Sequence, residues 1–253
     1  MKKIIIVIIC MMMVSTTFAQ KKLGNREIKW LSLAIKGGYG GTALFNSDVS
    51  ADNSVTTNFL SPSYSYGGRF GITYGDNFSL NFEPLFSGFS QEYNINDGSA
   101  AYAKNLKFTA IDYFVFLRYV GGYGFYFEVG PQFSTLKTAT VENSKDGTFT
   151  DENDEDFKSN FTEKSTSITA GLGYAILNGD RLQINLGLRG TYTLGDFRAD
   201  PTYYVLNDGV YRPTPPFEAK TNPLTLKLML ELNYFFAFWG NASCGKGRLM
   251  FFQ

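Results

Sequence analysis

The stretch Pro223–Phe238, PLTLKLMLELNYFFAF, places Leu, Tyr or Phe at every second position from Leu224 to Phe238, with Lys227 and Glu231 among the residues between. A helix would spread this row around its whole surface, because it turns once in about 3.6 residues. A strand gathers the row on one face. The stretch therefore predicts a strand of about 15 residues, whereas soluble strands average about 5–6 and a tilted bilayer-crossing strand needs about 9–11.

The N-terminus reads MKKIIIVIICMMMVSTTFAQ and has the three parts of a secretory signal peptide. Lys2 and Lys3 precede an apolar run, Ile4–Val14, which is too short to span a bilayer as a helix. Thr17-Phe18-Ala19 fits a small-x-small cleavage site. We therefore expect residues 1–19 to be a signal peptide that is removed on export.

Alternating segments recur along the rest of the chain. They lie at about 30–43, 64–75, 78–91, 107–120, 125–138, 165–177, 182–195 and 224–238. Tight turns rich in Gly, Asn and Asp (75–77, 121–124 and 178–181) alternate with long polar connections (44–63, 92–106, 139–164 and 196–223). This order predicts an all-β fold, an eight-stranded antiparallel up-and-down transmembrane β-barrel over residues 20–240. A C-terminal periplasmic tail, 241–253, is expected to follow.

The outer membrane is the expected location, because the chain is exported and its strands suit a bilayer. An even number of strands returns the C-terminus to the side of the N-terminus, so both termini are expected to be periplasmic. The outward rows chosen by hydrophobicity carry no charge, and a Lys or Arg near the bilayer midplane would cost about 2–4 kcal/mol. Aromatic residues near the short turns predict a girdle at the membrane interface, although Phe and Tyr also favour strands in general.

The opposite face of the strands carries five cationic and four anionic residues. They are Lys36, Arg69, Glu83, Asp112, Arg118, Glu128, Arg189, Lys227 and Glu231. Side chains fill the interior of an eight-stranded barrel, and a lone buried charge is unfavourable by several kcal/mol, so these residues are expected to pair. We predict a plugged, hydrogen-bonded lumen. The rival interpretation is a narrow conduit for a small solute.

A soluble lipocalin-like binding barrel is the second alternative, since it shares the eight-strand period. Its faces would be reversed, with apolar residues inside and polar residues outside. The signal peptide, the strand length, the aromatic strand ends and the Arg and Glu content of the polar face favour the membrane barrel.

The stretch 146–156, DGTFTDENDED, offers hard oxygen ligands for Ca²⁺ or another divalent cation. The candidate ligands are Asp151, Glu152, Asp154, Glu155 and Asp156. The stretch lacks the Asp-x-Asp-x-Asp-Gly spacing of an EF-hand, and such a charge run is more often a solvated loop. No cofactor is expected.

Enzymatic and nucleic-acid-binding functions are not expected. The chain contains no histidine, which excludes a Ser-His or Asp-His mechanism. A carboxylate pair such as Glu83 with Glu128 is conceivable, but the basic residues beside it favour salt bridges. Lys plus Arg and Asp plus Glu both number 23, so no excess of positive charge indicates nucleic acid.

Several stretches are similar to a known family. They are TTFAQ (16–20), LSLAIKGGYGG (31–41), YGGRFGITYG (66–75), GLGYAI (171–176) and INLGLRGTYTLGDF (184–197). They resemble the porin-family outer-membrane β-barrel domains of Bacteroidota-type bacteria, of which PorT-like proteins are one branch; OmpA-, OmpX- and OmpW-like barrels share the architecture. The resemblance implies an eight-stranded outer-membrane barrel, with roles that range from envelope structure to assisting a secretion apparatus. We expect a monomeric barrel in outer-membrane lipid, with a structural role or an envelope or secretion-machinery protein as partner. An OmpW-like conduit is the alternative.

Overall fold

The computed structural model describes residues 28–51, 55–58, 60–75, 77–96, 101–122, 124–145, 148–152, 155–179, 181–199, 219–241 and 247–251, and structural statements refer to these. Eight long strands dominate it. They are β1 (Ile28–Phe45), β2 (Ser61–Tyr74), β3 (Phe78–Asn96), β4 (Ala101–Val120), β5 (Phe125–Lys145), β6 (Lys164–Asn178), β7 (Leu182–Leu194) and β8 (Asn222–Asn241). Each predicted segment overlaps one of these strands.

Every strand pairs antiparallel with its neighbour in sequence, and β8 pairs with β1 from Phe45↔Asn222 to Ile28↔Trp239. This last pairing closes the sheet, so the barrel has no free edge among its eight strands. Two of the short turns contain Gly75 and Gly124 at φ of 66° and 85°, a region that glycine enters without strain. The predicted eight-stranded antiparallel up-and-down barrel is confirmed.

The outer surface near the short turns is an uncharged apolar band. From Leu224 to Tyr234 on β8 and from Phe78 to Phe86 on β3, the outward positions carry only apolar or aromatic residues. Leu228, in the middle of the β8 row, is 54% exposed. An exposed continuous apolar surface of this kind requires a non-aqueous neighbour.

At the long-loop end, β3, β4 and β5 continue beyond the apolar band with their faces reversed. On the outward face of β3, apolar Phe86 lies within the band and polar Asn94 lies beyond it. On the inward face, polar residues such as Glu83 lie within the band and apolar Ile95 lies beyond it. On β4, Lys107 faces outward and Phe108 is buried. On β5, a register shift opposite Thr109 and Ala110 accompanies the change. The extension therefore has a polar outside and an apolar inside, like a soluble barrel.

Four phenylalanines, termed the aromatic plug here, fill the lumen at this end: Phe89, Phe108, Phe161 and Phe197. The Phe108 ring lies 4.9 Å from those of Phe89 and Phe161 and 5.3 Å from that of Phe197. Around the plug pack Leu44, Val49, Val55, Tyr93, Ile95, Leu106, Leu136, Ala139 and Val141. Helix α1 (Ser47–Ala51) contributes Val49, and a 3₁₀ helix, Glu155–Asn160, leads into Phe161.

Two of the predicted long loops, 92–106 and 139–164, are shorter than expected, because parts of them belong to the extension. Of the expected loop 92–106, β3 takes residues up to Asn96 and β4 begins at Ala101. Short strands at Val55–Thr57 and Thr148–Glu152 also lie within predicted loops. Polar residues such as Glu92 and Asn94 gave 92–106 the composition of a loop, while Tyr93, Ile95 and Leu106 pack around the plug.

Beyond the barrel, Gly247–Phe251 forms a short strand that pairs antiparallel with the end of β8, from Ala237↔Phe251 to Asn241↔Gly247. This segment lies within the predicted tail, 241–253. No helix in the described ranges is long and apolar enough to cross a membrane.

Replacing Phe108 with alanine is expected to destabilise the barrel by about 3–5 kcal/mol, because it leaves a cavity among three other rings. Urea unfolding of the purified protein, followed by heat-modifiable gel migration, measures the change. Asn94→Ala, on the exposed face of the same extension, should have little effect. Equal unfolding midpoints for the two variants would show that the plug does not stabilise the fold.

Candidate functional site

Seven of the nine predicted lumen charges meet in one layer of the barrel interior, termed the ionic layer. Its members are Lys36, Arg69, Glu83, Arg118, Glu128, Arg189 and Glu231. Seven of the eight strands contribute one residue each, and every member is at most 4% exposed. On the remaining strand, β6, Gly171 leaves room: an added Cβ would lie 3.0 Å from the Glu128 carboxylate. Strand alternation turns these residues inward, and the strand register brings them to a common height.

Lys36 lies between the three carboxylates. Its Nζ is 3.0 Å from Glu83 Oε1, 3.1 Å from Glu231 Oε2 and 3.8 Å from Glu128 Oε1. In the sheet, Lys36 is paired directly with Glu231 across the β1–β8 junction. The ammonium group therefore joins strands from both sides of the barrel closure.

Arg118 and Arg189 complete the layer as bridging donors. Arg118 Nη2 lies 2.7 Å from Glu128 Oε2 and 2.9 Å from Glu231 Oε2. Arg189 Nη2 lies 2.5 Å from Glu128 Oε1 and 2.9 Å from Glu83 Oε2. Arg118 also binds Glu231 in a bidentate way, because its Nη1 donates to Oε1 at 3.0 Å while its Nη2 donates to Oε2. Charge-assisted contacts of this kind hold the planar groups in fixed orientations.

Aromatic rings support the two bridging arginines. The Arg118 guanidinium lies 4.3 Å from the ring centre of Tyr126, and that of Arg189 lies 4.4 Å from Phe116 and 5.0 Å from Phe114. These cation–π contacts add attraction that does not use up the hydrogen-bond donors. The predicted lumen residues did not include these three rings, although the alternation along β4 and β5 places them on the inward face.

Arg69 is attached to the layer more loosely than the other cations. Its single ion pair among the described residues is to Glu231 Oε1, at 3.4 Å. Its Nη1 donates to Asn81 Oδ1 at 2.8 Å and its Nη2 donates to Ser32 Oγ at 3.4 Å. Glu231 already accepts hydrogen bonds from Arg118 and from the Asn185 amide. Four cations therefore share three carboxylates.

The two remaining predicted charges, Asp112 and Lys227, lie outside the ionic layer. They line a cavity of about 50 Å³ between that layer and the aromatic plug. Neither takes part in an ion pair within the described part of the chain, and Lys227 Nζ donates to the Tyr64 carbonyl at 3.3 Å. The cavity exceeds the minimum of about 10–15 Å³ that one water needs, so water can bridge its polar groups.

On the other side of the ionic layer the lumen opens toward the short turns. A cavity of about 380 Å³ is lined by polar side chains together with Phe78, Val120 and Phe235. Arg69 and Arg118 lie at its inner end, and Gly75, Gly121 and Gly122 lie near its mouth. We term this cavity the funnel. The interior thus has four successive parts: the funnel, the ionic layer, the small cavity and the aromatic plug.

The acidic stretch considered as a metal site falls where side chains are not described. Asp154 lies outside the described residues, and the side chains of Asp151, Glu152, Glu155 and Asp156 are likewise outside the description. Among the described side chains, no three His, Cys, Asp or Glu residues are grouped so that they could hold a metal ion.

Above the apolar band, Asp196 fastens the end of β7. Partial burial opposes its ionisation, but hydrogen bonds from the Arg198 side chain and from the backbone N–H groups of Arg198 and Thr221 dominate and lower the pKa of the carboxyl. The ionised form is therefore the native one. This turn seats Phe197 in the aromatic plug.

No protein-family model matches the chain, and no curated protein is similar to it. Solved structures with a similar fold include Neisserial surface protein A (NspA), at 10% identity and a TM-score of 0.35, over 81% of this chain and 97% of that one. The attachment invasion locus protein Ail of Yersinia pestis has 9% identity and a TM-score of 0.36, over 82% of this chain and 99% of that one. The translocator domain of autotransporter NalP from Neisseria meningitidis has 11% identity and a TM-score of 0.37, over 87% of this chain and 92% of that one. At such low similarity, the assignment of the fold rests on this chain's own strand pairing.

Replacing Glu231 with glutamine is expected to destabilise the protein by about 3–5 kcal/mol, because three buried cations lose a shared carboxylate. Urea unfolding of the purified protein measures the change. The double variant with Arg69→Gln should recover part of the loss, since it removes one of those cations. Strictly additive effects would mean that Arg69 and Glu231 do not interact.

Proposed function

We propose that this chain is a non-enzymatic outer-membrane β-barrel with a plugged lumen, which serves as a structural or partner-binding protein of the cell envelope. The observation that carries the proposal is the combination of an uncharged apolar outer band with an interior blocked by two packed layers. We further propose that it is monomeric and surrounded by lipid, because the eight strands close on themselves and leave no edge for a second copy.

The reversal of faces along the barrel axis supports a membrane location. A soluble binding barrel would place its apolar side chains inside along its whole length. Here the extension does so, whereas below it the interior is mainly ionic, with one small apolar cluster of Leu85, Phe114, Phe116 and Met229. Outward Leu228, Phe82 and Leu117 at that level are 54%, 45% and 49% exposed. A bilayer covering the lower part and water surrounding the upper part accounts for both patterns.

The packing of the lumen favours a structural role over a conduit. The charged groups of the ionic layer bind one another rather than lining an open path, and the aromatic plug closes the end beyond them. A pore requires binding weak enough for an ion to leave. Bidentate contacts between buried partners are the opposite arrangement.

The ionic layer also favours a non-catalytic interior. Each of its carboxylates contacts at least two cations, so none is available as a general base. A further proposal, following the resemblance to PorT-like barrels, is a partner in the envelope or in a secretion machinery. Deletion of the gene should then trap exported cargo in the periplasm.

Planar-bilayer recording tests the plugged lumen. The purified protein is expected to leave the conductance at the level of lipid alone, because the aromatic plug and the ionic layer leave no continuous path. Lys227→Glu provides a matched control, since it reverses a charge that faces the small cavity. Unitary currents whose ion selectivity changes in this variant would show that ions pass through the barrel and would support the conduit.

Replacing Leu228 with arginine tests the bilayer assignment. The variant is expected to lose about 2–4 kcal/mol of folding free energy in lipid vesicles, because it places a charge in the middle of the apolar band. Urea titration with gel-shift detection measures the loss. Asn94→Arg, on the outward face of the extension, should change stability little. A soluble barrel would tolerate both substitutions equally.

A further inference from the structure

The funnel has the lining of an anion site. Its polar residues are cationic or neutral: Ser32, Arg69, Thr73, Asn77, Ser79, Arg118, Asn178, Gln183 and Asn233. No Asp or Glu lines it within the described residues, although three carboxylates lie just behind its inner end. Hydroxyl and amide groups at these positions can donate hydrogen bonds, and the guanidinium groups supply positive charge.

Arg69 carries the positive charge that the ionic layer does not balance. Lys36, Arg118 and Arg189 each lie within 4.0 Å of at least two carboxylates, whereas Arg69 has its one ion pair at 3.4 Å to a carboxylate that two stronger partners share. A buried charge that is only partly neutralised is unfavourable. An anion bound in the funnel would neutralise the remaining positive charge of Arg69.

Arg69 lines the funnel, and one hydrogen-bond donor of its guanidinium group is unused among the described residues. Its Nε has no hydrogen-bond partner among the described atoms, and the residue is 4% exposed. Ser32 and Asn81 fix its other nitrogens. They can approach because Gly71 has no side chain: a Cβ there would lie 2.6 Å from both Ser32 Oγ and Asn81 Oδ1.

We propose that the funnel binds a small oxyanion, a phosphate or carboxylate group, against Arg69. Ser32 and the amide groups of Asn233 and Gln183 supply neutral donors around it. Asn233 is 1% exposed, and its Nδ2 donates to Gln183 Oε1 at 3.4 Å, a long bond that an oxygen of the anion can replace. A cavity of about 380 Å³ is large enough for the group and its nearest waters, and the described residues near its mouth include Gly75, Gly121 and Gly122, which add no side chains there.

Solution NMR of the ¹⁵N-labelled protein in a non-ionic detergent tests this proposal directly. Inorganic phosphate and acetate are titrated separately, with ionic strength held constant by sodium chloride. A saturable shift of the Arg69 Nε–H resonance, with that of Arg189 unmoved, is the expected result. The more effective anion identifies a tetrahedral or a carboxylate ligand. Absence of saturation, or equal shifts at all arginines, would overturn the proposal.

Two variants at Ser32 separate binding from folding. Ser32→Asp places a carboxylate beside Arg69 and should weaken phosphate and acetate binding at least about tenfold, because it supplies the missing counter-ion internally. Ser32→Asn, of the same size but uncharged, should retain binding. Heat-modifiable gel migration verifies that both are folded. If the two variants bind equally, the site does not recognise charge at Arg69. The measurement is made in detergent, so its outcome is independent of the proposed envelope role.

Discussion

Closure of the sheet is the constraint from which the interior follows. Once β8 pairs with β1, the inward side chains at the level of the ionic layer enter a cylinder too narrow to keep a charge hydrated. A cation there must find a carboxylate, and Lys36 finds three, on β3, β5 and β8. Mutual dependence of this kind makes the layer specific, because a change in strand register would move each charge to the apolar outer face.

The polarity of each face depends on what surrounds the barrel at that height. Within the apolar band the outside is apolar and the inside ionic; above it Asn94 and Lys107 face outward while Ile95 and Phe108 fill the inside. The lower part of the barrel therefore has the face pattern of a membrane barrel, and the extension has that of a soluble barrel. In the extension, whose outer surface faces water, an apolar interior stabilises the fold by burial.

This reversal also explains what the sequence could and could not predict. Alternation of period two identified all eight strands, since that pattern survives whichever face is apolar. The extension was not predicted, because the outward face of every strand was expected to be apolar. The polar residues Glu92 and Asn94 therefore resembled a loop, although Tyr93 and Ile95 continue the alternation. The alternation predicted which charged residues face inward. It did not separate the seven members of the ionic layer from Asp112 and Lys227, because that separation depends on height along the barrel axis. Height follows from strand register, which a single sequence does not specify.

The interior is consequently different at its two ends. Toward the long loops it is sealed by rings that pack to within 5.3 Å of Phe108. Toward the short turns lies the funnel, and the loosely paired Arg69 stands at its inner end together with Arg118. A barrel built only for strength would gain from burying Arg69 against a fourth carboxylate. The proposed anion site would use this arrangement, because the cation with the weakest pairing in the ionic layer lies beside the funnel and would gain most from an added anion.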